Sequence, residues 1–314
     1  GGKSLVGYTI DSIDGAITAF KNENPLGIGI SSISSNGTIK VISSVLDLSS
    51  LTVGSTFTLG KYQVESETPW PIEWEIVHQT DDYQIAQTKQ IIDLRPFDAK
   101  EPTNPNSIRQ NYGNDNWSVS NIEQFLNSDQ ASWYSAQHQY DAPPNNSNVS
   151  NNPYDTHKGF LYYFSDEEKS LLQDMTLTLG SLTVTIDGSG SYSWTGKVWL
   201  PTLTQMGGGK NNSISEGTKF SKFTNSSSRI KNLHPNCAKY NKFCIDKNYS
   251  SGTPWYYWMS SADLSNACYV YGVDYVGNTN NKYYLCYGDV GLAPCICLPR
   301  KLGGGVINDT ISFY

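Results

Sequence analysis

Trp70-Pro-Ile-Glu-Trp-Glu-Ile-Val77 decides how the chain is read. From Ile72 the apolar residues alternate with glutamates, a period of two that fits a strand with one buried face. Upstream, Ser55-Thr-Phe-Thr-Leu-Gly-Lys-Tyr-Gln-Val-Glu65 alternates in the same way, and downstream Tyr83-Gln-Ile-Ala-Gln-Thr88 repeats the pattern. The three predict a β-meander packed on a core. Helix signals follow. Ser120-x-x-Glu123 reads as a capping box ahead of Ile122, Phe125 and Leu126, and Asn127-Ser-Asp129 ends that helix. Ser165-x-x-Glu168 opens a second run containing Leu171, Leu172 and Met175. Polar loops lie at 143–153, at 207–213 and past Thr224. Strand patterns then return at Lys197-Val-Trp-Leu-Pro201, Trp255-Tyr-Tyr-Trp-Met-Ser-Ser261, Ala267-Cys-Tyr-Val-Tyr271 and Cys295-Ile-Cys-Leu-Pro299. Strands, two helices, long loops and strands again predict an α+β domain of short antiparallel strands over residues 53–314.

Residues 1–52 have a different texture and read as a β-containing appendage or linker. Ser12–Phe20 places Ile13, Ile17 and Phe20 on one helical face. Gly27-Ile-Gly-Ile-Ser31 and Thr38-Ile-Lys-Val-Ile42 flank Asn36-Gly37, a hairpin signal.

Composition removes several function classes. A hydrophobic share of 38% argues against disorder, while 27 Gly, 14 Pro and only 16% charged residues favour short strands and loops over long helices. The net charge of −7, with no basic run, lacks the footprint of a nucleic-acid binder. No apolar stretch approaches the roughly 20 residues of a membrane helix, so no membrane insertion is expected. The cysteines are Cys237, Cys244, Cys268, Cys286, Cys295 and Cys297. Cys295 and Cys297 are too close along a strand to bridge without strain. Cys237 with Cys244 suits a loop staple, and buried unbridged thiols fit the sequence as well. No Cys-x-x-Cys knuckles support zinc.

Catalytic patterns are missing. His78, His138, His157 and His234 share no metal-ligand spacing, no Gly-x-Ser-x-Gly elbow occurs, and Gly207-Gly-Gly-Lys210 lacks the phosphate-loop spacing. The chain reads as a non-enzyme with no cofactor, although loop Asp and Asn oxygens leave room for a structural calcium.

Between Trp255 and Asp289 stand Tyr256, Tyr257, Tyr269, Tyr271, Tyr275, Tyr283, Tyr284 and Tyr287, set among Asn, Ser, Asp, Gly and Cys. That stretch holds one Lys and no Glu, Gln or Arg. Tyrosine brings rigid amphipathic contact area and the small polar residues bring adaptable hydrogen bonds, as in antibody paratopes. Tyr269, Tyr271 and Tyr275 share one strand parity and Val270 and Val276 the other, so valines in the core put these tyrosines outside. The expected contacts are Tyr256, Tyr257, Tyr269 and Tyr271, then Tyr283, Tyr284 and Tyr287. Asp263, Ser265, Asn266 and Asp274 complete the patch, within a ligand-binding region spanning 254–297. Trp117, Trp199 and Trp258 are assigned to the core.

Ordered words along the chain resemble a prokaryotic and phage domain of C-type lectin fold. They include Ile92-Asp-Leu-Arg-Pro-Phe-Asp98, Tyr112-Gly-Asn-Asp-Asn-Trp117, Ser120–Ser128, Trp133–His138, Phe164–Glu168, Val198–Thr202, Trp258–Ala262 and Gly291–Pro299. The ending resembles the variable proteins of diversity-generating retroelements. There, copying errors at adenines rewrite chosen codons, and a rewritten asparagine codon yields neither Glu, Gln, Lys nor Trp when its third base is fixed. The resemblance implies a receptor- or ligand-binding protein of a virion or cell surface, with a macromolecular target and a diversified tyrosine-rich patch. A fixed structural module of the same fold is the other reading. Glu101-Pro102-Thr103 departs from the calcium-lectin sugar motif, so that activity is not implied.

Overall fold

The N-terminal segment holds two strand pairs, and the second, with its alternating isoleucines, is the one its spacing predicts. Ser4–Leu5 (β1) pairs with Tyr8–Thr9 (β2), and Ile28–Ile33 (β3) pairs antiparallel with Ile39–Ser43 (β4). The computed structural model describes residues 48–181 and 190–300, together with these strands and one at 310–311. The predicted helix at 12–20 and the Asn36-Gly37 turn lie outside the described residues. Gly1–Leu51, Asp81–Tyr83 and Pro299–Tyr314 form one compact unit, and Thr52–Thr80 with Gln84–Leu298 form another. The sequence reading carried the large domain to Tyr314. The closing residues group instead with the first unit, where Thr310–Ile311 pairs antiparallel with Ile39 and Lys40 of β4.

The large unit is α+β. Thr56–Tyr62 (β5), Trp70–Gln79 (β6) and Tyr83–Thr88 (β7) form the predicted antiparallel meander. In β6, Trp70, Ile72, Trp74 and Ile76 are buried while the intervening residues are more exposed. The Trp74 indole N–H donates to the Leu59 carbonyl at 2.8 Å, so the ring enters the core with its polar atom satisfied.

After β7 the chain runs through Asp93–Leu94 (β8) into two six-residue helices, Ser107–Tyr112 (α1) and Asn121–Leu126 (α2). Asp166–Leu171 (α3) follows. The Ser165 box is reciprocal, and Glu168 also accepts the Gly60 N–H at 3.0 Å. The Ser120 box is not reciprocal. Ser120 caps α2, but the Glu123 carboxylate turns away to accept the Trp194 indole N–H at 3.0 Å and the Asn127 amide at 3.1 Å. Met175, read as helical, begins a strand, Met175–Ser181 (β9), which pairs antiparallel with Gly190–Gly196 (β10). The remaining strands are Val198–Trp199 (β11), Lys231–Asn232 (β12), Pro254–Trp255 (β13), Tyr257–Ala262 (β14), Tyr269–Val273 (β15), Asn281–Tyr284 (β16), Gly291–Leu292 (β17) and Cys295–Pro299 (β18). Pro235–Tyr240 (α4) and Lys242–Lys247 (α5) complete five short helices among the described residues, where the sequence predicted two.

Two five-stranded sheets run β11-β18-β7-β6-β5 and β16-β15-β14-β17-β8. Trp74, Trp117, Trp199 and Trp258 are among the largest fully buried side chains, so the three tryptophans assigned to the core do lie there. The Asp93-Leu-Arg-Pro-Phe-Asp98 stretch ties the layers together. Arg95 and Asp93 are both wholly buried, with Arg95 Nε 2.6 Å from Asp93 Oδ2. Tyr62 Oη donates to the same carboxylate oxygen at 2.7 Å, and Asn241 Nδ2 donates to Oδ1 at 2.8 Å. Arg95 also donates to the carbonyls of Val64 and Pro153. Burial opposes the charge on Arg95, yet Asp93, Tyr62 and Glu65 outweigh it and hold the guanidinium above its ordinary value. Asp98 accepts the backbone N–H groups of Asn114 and Asn121, which fixes the approach to α2.

Glu123 makes the fold pH-sensitive. Burial lifts its carboxyl from the ordinary 4.5 to about 7, against the opposing hydrogen bond from Trp194. The folded state therefore holds a proton that the unfolded state has released between those values, and stability falls as pH rises through that window. Glu123→Gln keeps an acceptor for Trp194 and removes the titration. Because the side chain is only partly shielded, the gain expected at pH 8 is about 1–2 kcal/mol, with none at pH 4. Urea unfolding of both proteins at the two pH values checks this, and equal stabilities at pH 8 would refute it.

Candidate functional surface

Position in the second sheet sorts the tyrosines. β14 is internal and all six of its residues are buried. β15 alternates, with Tyr269 and Tyr271 half-buried and Val270 fully buried. β16 is the edge strand, half-buried along its length. The antiparallel register sets Tyr269 opposite Tyr284 and Tyr271 opposite Lys282, so these four share a face. Tyr284 is the hub. Its ring centroid lies 4.6 Å from that of Tyr269, 5.1 Å from Tyr287 and 4.8 Å from Tyr112, the last pair stacked at 14°. Lys282 sits 4.9 Å over the Tyr271 ring and 2.8 Å from the Asp263 carboxylate. The result is a ridge of five tyrosines closed at one end by an ion pair. The hydrogen bond with the Tyr284 hydroxyl, and burial after it, pushes the Tyr269 phenol up.

Ser265 and Asn266 are exposed at the tip of the β14–β15 turn beside this ridge. Asp263 shapes the turn, accepting from the Ser265 N–H at 3.1 Å and its hydroxyl at 2.7 Å. Asp274 is spent on the next turn, accepting from the N–H groups of Val276 and Asn278 and from the side chains of Asn278 and Asn281. It is a turn organiser rather than a free contact. Tyr256 and Tyr283 occupy the opposite face of the hairpin. Their rings stack at 4.9 Å, and the Tyr256 hydroxyl donates to Asp289 Oδ2 at 3.0 Å. Tyr283 lies over Gly272, where a Cβ would come within 2.5 Å of the ring, so the glycine makes room for the stack.

Three expected contacts are buried: Asp263 and Asp274, each held in its turn, and Tyr257. Tyr257 is fully buried, and its hydroxyl donates to the Arg229 carbonyl at 2.8 Å. An internal strand covered on both faces has no solvent parity. Val276 also departs from its expected place in the core. The strand ends at Val273, and Tyr275 and Val276 stand 59% and 46% exposed in the following turn. Tyr112 was missed. It ends α1, far upstream of the hairpin, and was read only as the start of the Tyr112–Trp117 stretch.

Two clefts lie away from the ridge. Clefts of about 390 Å³ and 610 Å³ share Glu65, Thr156 and His157 in their walls. His157 Nε2 is 3.3 Å from both Glu65 Oε2 and Arg95 Nη2. Among the described residues no group of three His, Cys, Asp or Glu side chains is placed to hold a metal ion, and no helix is long and apolar enough to cross a membrane.

Neither the curated proteins nor the solved structures hold a match to this chain. A family model described as a domain of unknown function, DUF6273, matches residues 85–300, which include β14 to β18 and the tyrosine ridge, and the chain belongs to that family.

Proposed function

We propose that the protein binds a macromolecular ligand or receptor through the Tyr112–Tyr269–Tyr284–Tyr287 ridge and the neighbouring Ser265-Asn266 tip, on a scaffold of C-type lectin fold. The observation that carries this reading is the ridge itself. Five phenol rings are gathered on one side of an edge hairpin, and none of them is among the buried core residues. Such rings offer contact area at little entropic cost, and the polar tip adds hydrogen bonds. The scaffold reading draws on the pairing of the last strand, β18, between β11 and the early meander strand β7, which brings the two ends of the unit into one sheet. The protein acts by binding and not by catalysis, from a virion or cell surface. Its hairpin residues are diversified by retroelement copying.

Sequencing the gene across its natural population tests this. Substitutions are expected to concentrate at Ser265, Asn266, Tyr269, Tyr271, Tyr284 and Tyr287, and to spare Tyr257 and Asp274, which the fold uses. Uniform codons along the ridge would end the diversification reading and leave a module of fixed specificity.

A further inference from the structure

Cys237 belongs to α4 and Cys244 to α5, two six-residue helices that meet at Asn241. Asn241 ends the first, its N–H donating to the Cys237 carbonyl at 3.0 Å, and its side chain caps the second through the Phe243 N–H at 3.1 Å. Its amide also reaches Asp93, so the junction is anchored to the buried Arg95 network. Across this break the two helices touch one another. Residues seven apart in sequence then become neighbours: the free Cys237 and Cys244 thiols interact, and both residues are 0% exposed. Helices this short do not persist on their own, so packing at this junction holds both.

We propose that Cys237 and Cys244 form a modification site, closing to a disulfide that staples α4 to α5. In the closing reaction the two thiols lose two protons and two electrons and one S–S bond forms. A low-molecular-weight disulfide such as glutathione disulfide takes up both as its own S–S bond breaks to two thiols. Burial pushes the Cys237 thiol well above its ordinary value, with the Cys244 thiol adding to the effect, so little thiolate exists in the closed fold. The bond therefore forms during folding or local opening, and once buried it is shielded from reductants. The staple also has a place to act. α5 supplies Lys242, Phe243, Ile245 and Asp246 to the wall of the 610 Å³ cleft, and the bond fixes that wall.

The test is to refold the full chain in a glutathione redox buffer and in reductant, then titrate thiols in denaturant and map the peptides. Six cysteines less one bridge leave four free thiols in the oxidised protein. The mapped bond joins Cys237 to Cys244, and closing this short loop lowers the unfolding equilibrium constant roughly 50-fold. The Cys237→Ala/Cys244→Ala variant keeps four thiols in both buffers and loses the redox response. Six free thiols after oxidative refolding, or a bridge from either residue to any other cysteine, overturns the proposal. A redox response that persists in the double variant overturns it as well.

Discussion

Arg95→Met is expected to lower the free energy of unfolding by about 3–5 kcal/mol, the cost of removing one partner from a buried ion pair. The side chain leaves the Asp93 carboxylate in place without its counter-charge, and it abandons the carbonyls of Val64 and Pro153. Burial already pushes the Asp93 carboxyl up, and Arg95 with the Tyr62 hydroxyl and the Asn241 amide holds it down. Without the arginine, Asp93 takes up a proton or drags water inward. Asp93→Asn combined with Arg95→Met removes both charges, so the double variant is expected to be more stable than Arg95→Met alone. Guanidinium unfolding of the three variants reads the coupling directly. An Arg95→Met protein within 1 kcal/mol of the parent, or a double variant no better than the single, would show that the pair does not anchor the layers.

The meander and two of the helices were legible because their signals are local. Alternation in Ile72–Val77 needs only neighbouring residues, and Ser165 caps its own helix with Glu168 three residues on. α1, α4 and α5 were not legible. Six residues barely complete an apolar stripe, and their starts are marked only by Asn106, by His234 before Pro235, and by Asn241. β9 alternates Leu177 and Leu179 into the core, but the preceding helix pattern ran over Met175 and hid its start. Glu123 shows the same limit from the other side. Its spacing from Ser120 is that of a capping box, yet Trp194, brought in by the β9–β10 hairpin, claims the carboxylate. For the candidate surface, composition marked the hairpin that carries the tyrosine ridge, and the parity of Val270 against Tyr269 and Tyr271 held. What failed there was nonlocal. Whether a strand is internal or at an edge is set by the order of pairing, and only that order separates Tyr257 from Tyr284.

That separation makes the last expectation quantitative. Tyr257→Ala is expected to cost about 3–5 kcal/mol, the range for emptying a core site of a large aromatic ring. The lost hydroxyl adds to this, because the Arg229 carbonyl gives up its partner. Tyr269→Ala and Tyr287→Ala remove partly exposed rings, each making one ring contact with Tyr284. An aromatic pair adds about 0.5–1.5 kcal/mol beyond area, and solvent on the outer face keeps these near the lower bound. The ridge variants should therefore melt close to the parent while the Tyr257 variant melts far below it. Thermal unfolding of the three proteins, followed by near-ultraviolet circular dichroism, is the measurement. If the ridge variants fall as far as the Tyr257 variant, the ridge is a second core and the binding surface must be sought elsewhere. If they hold, the fold carries two phenol rings that it does not need for its own stability, and contact with another molecule is a physical reason to keep them there.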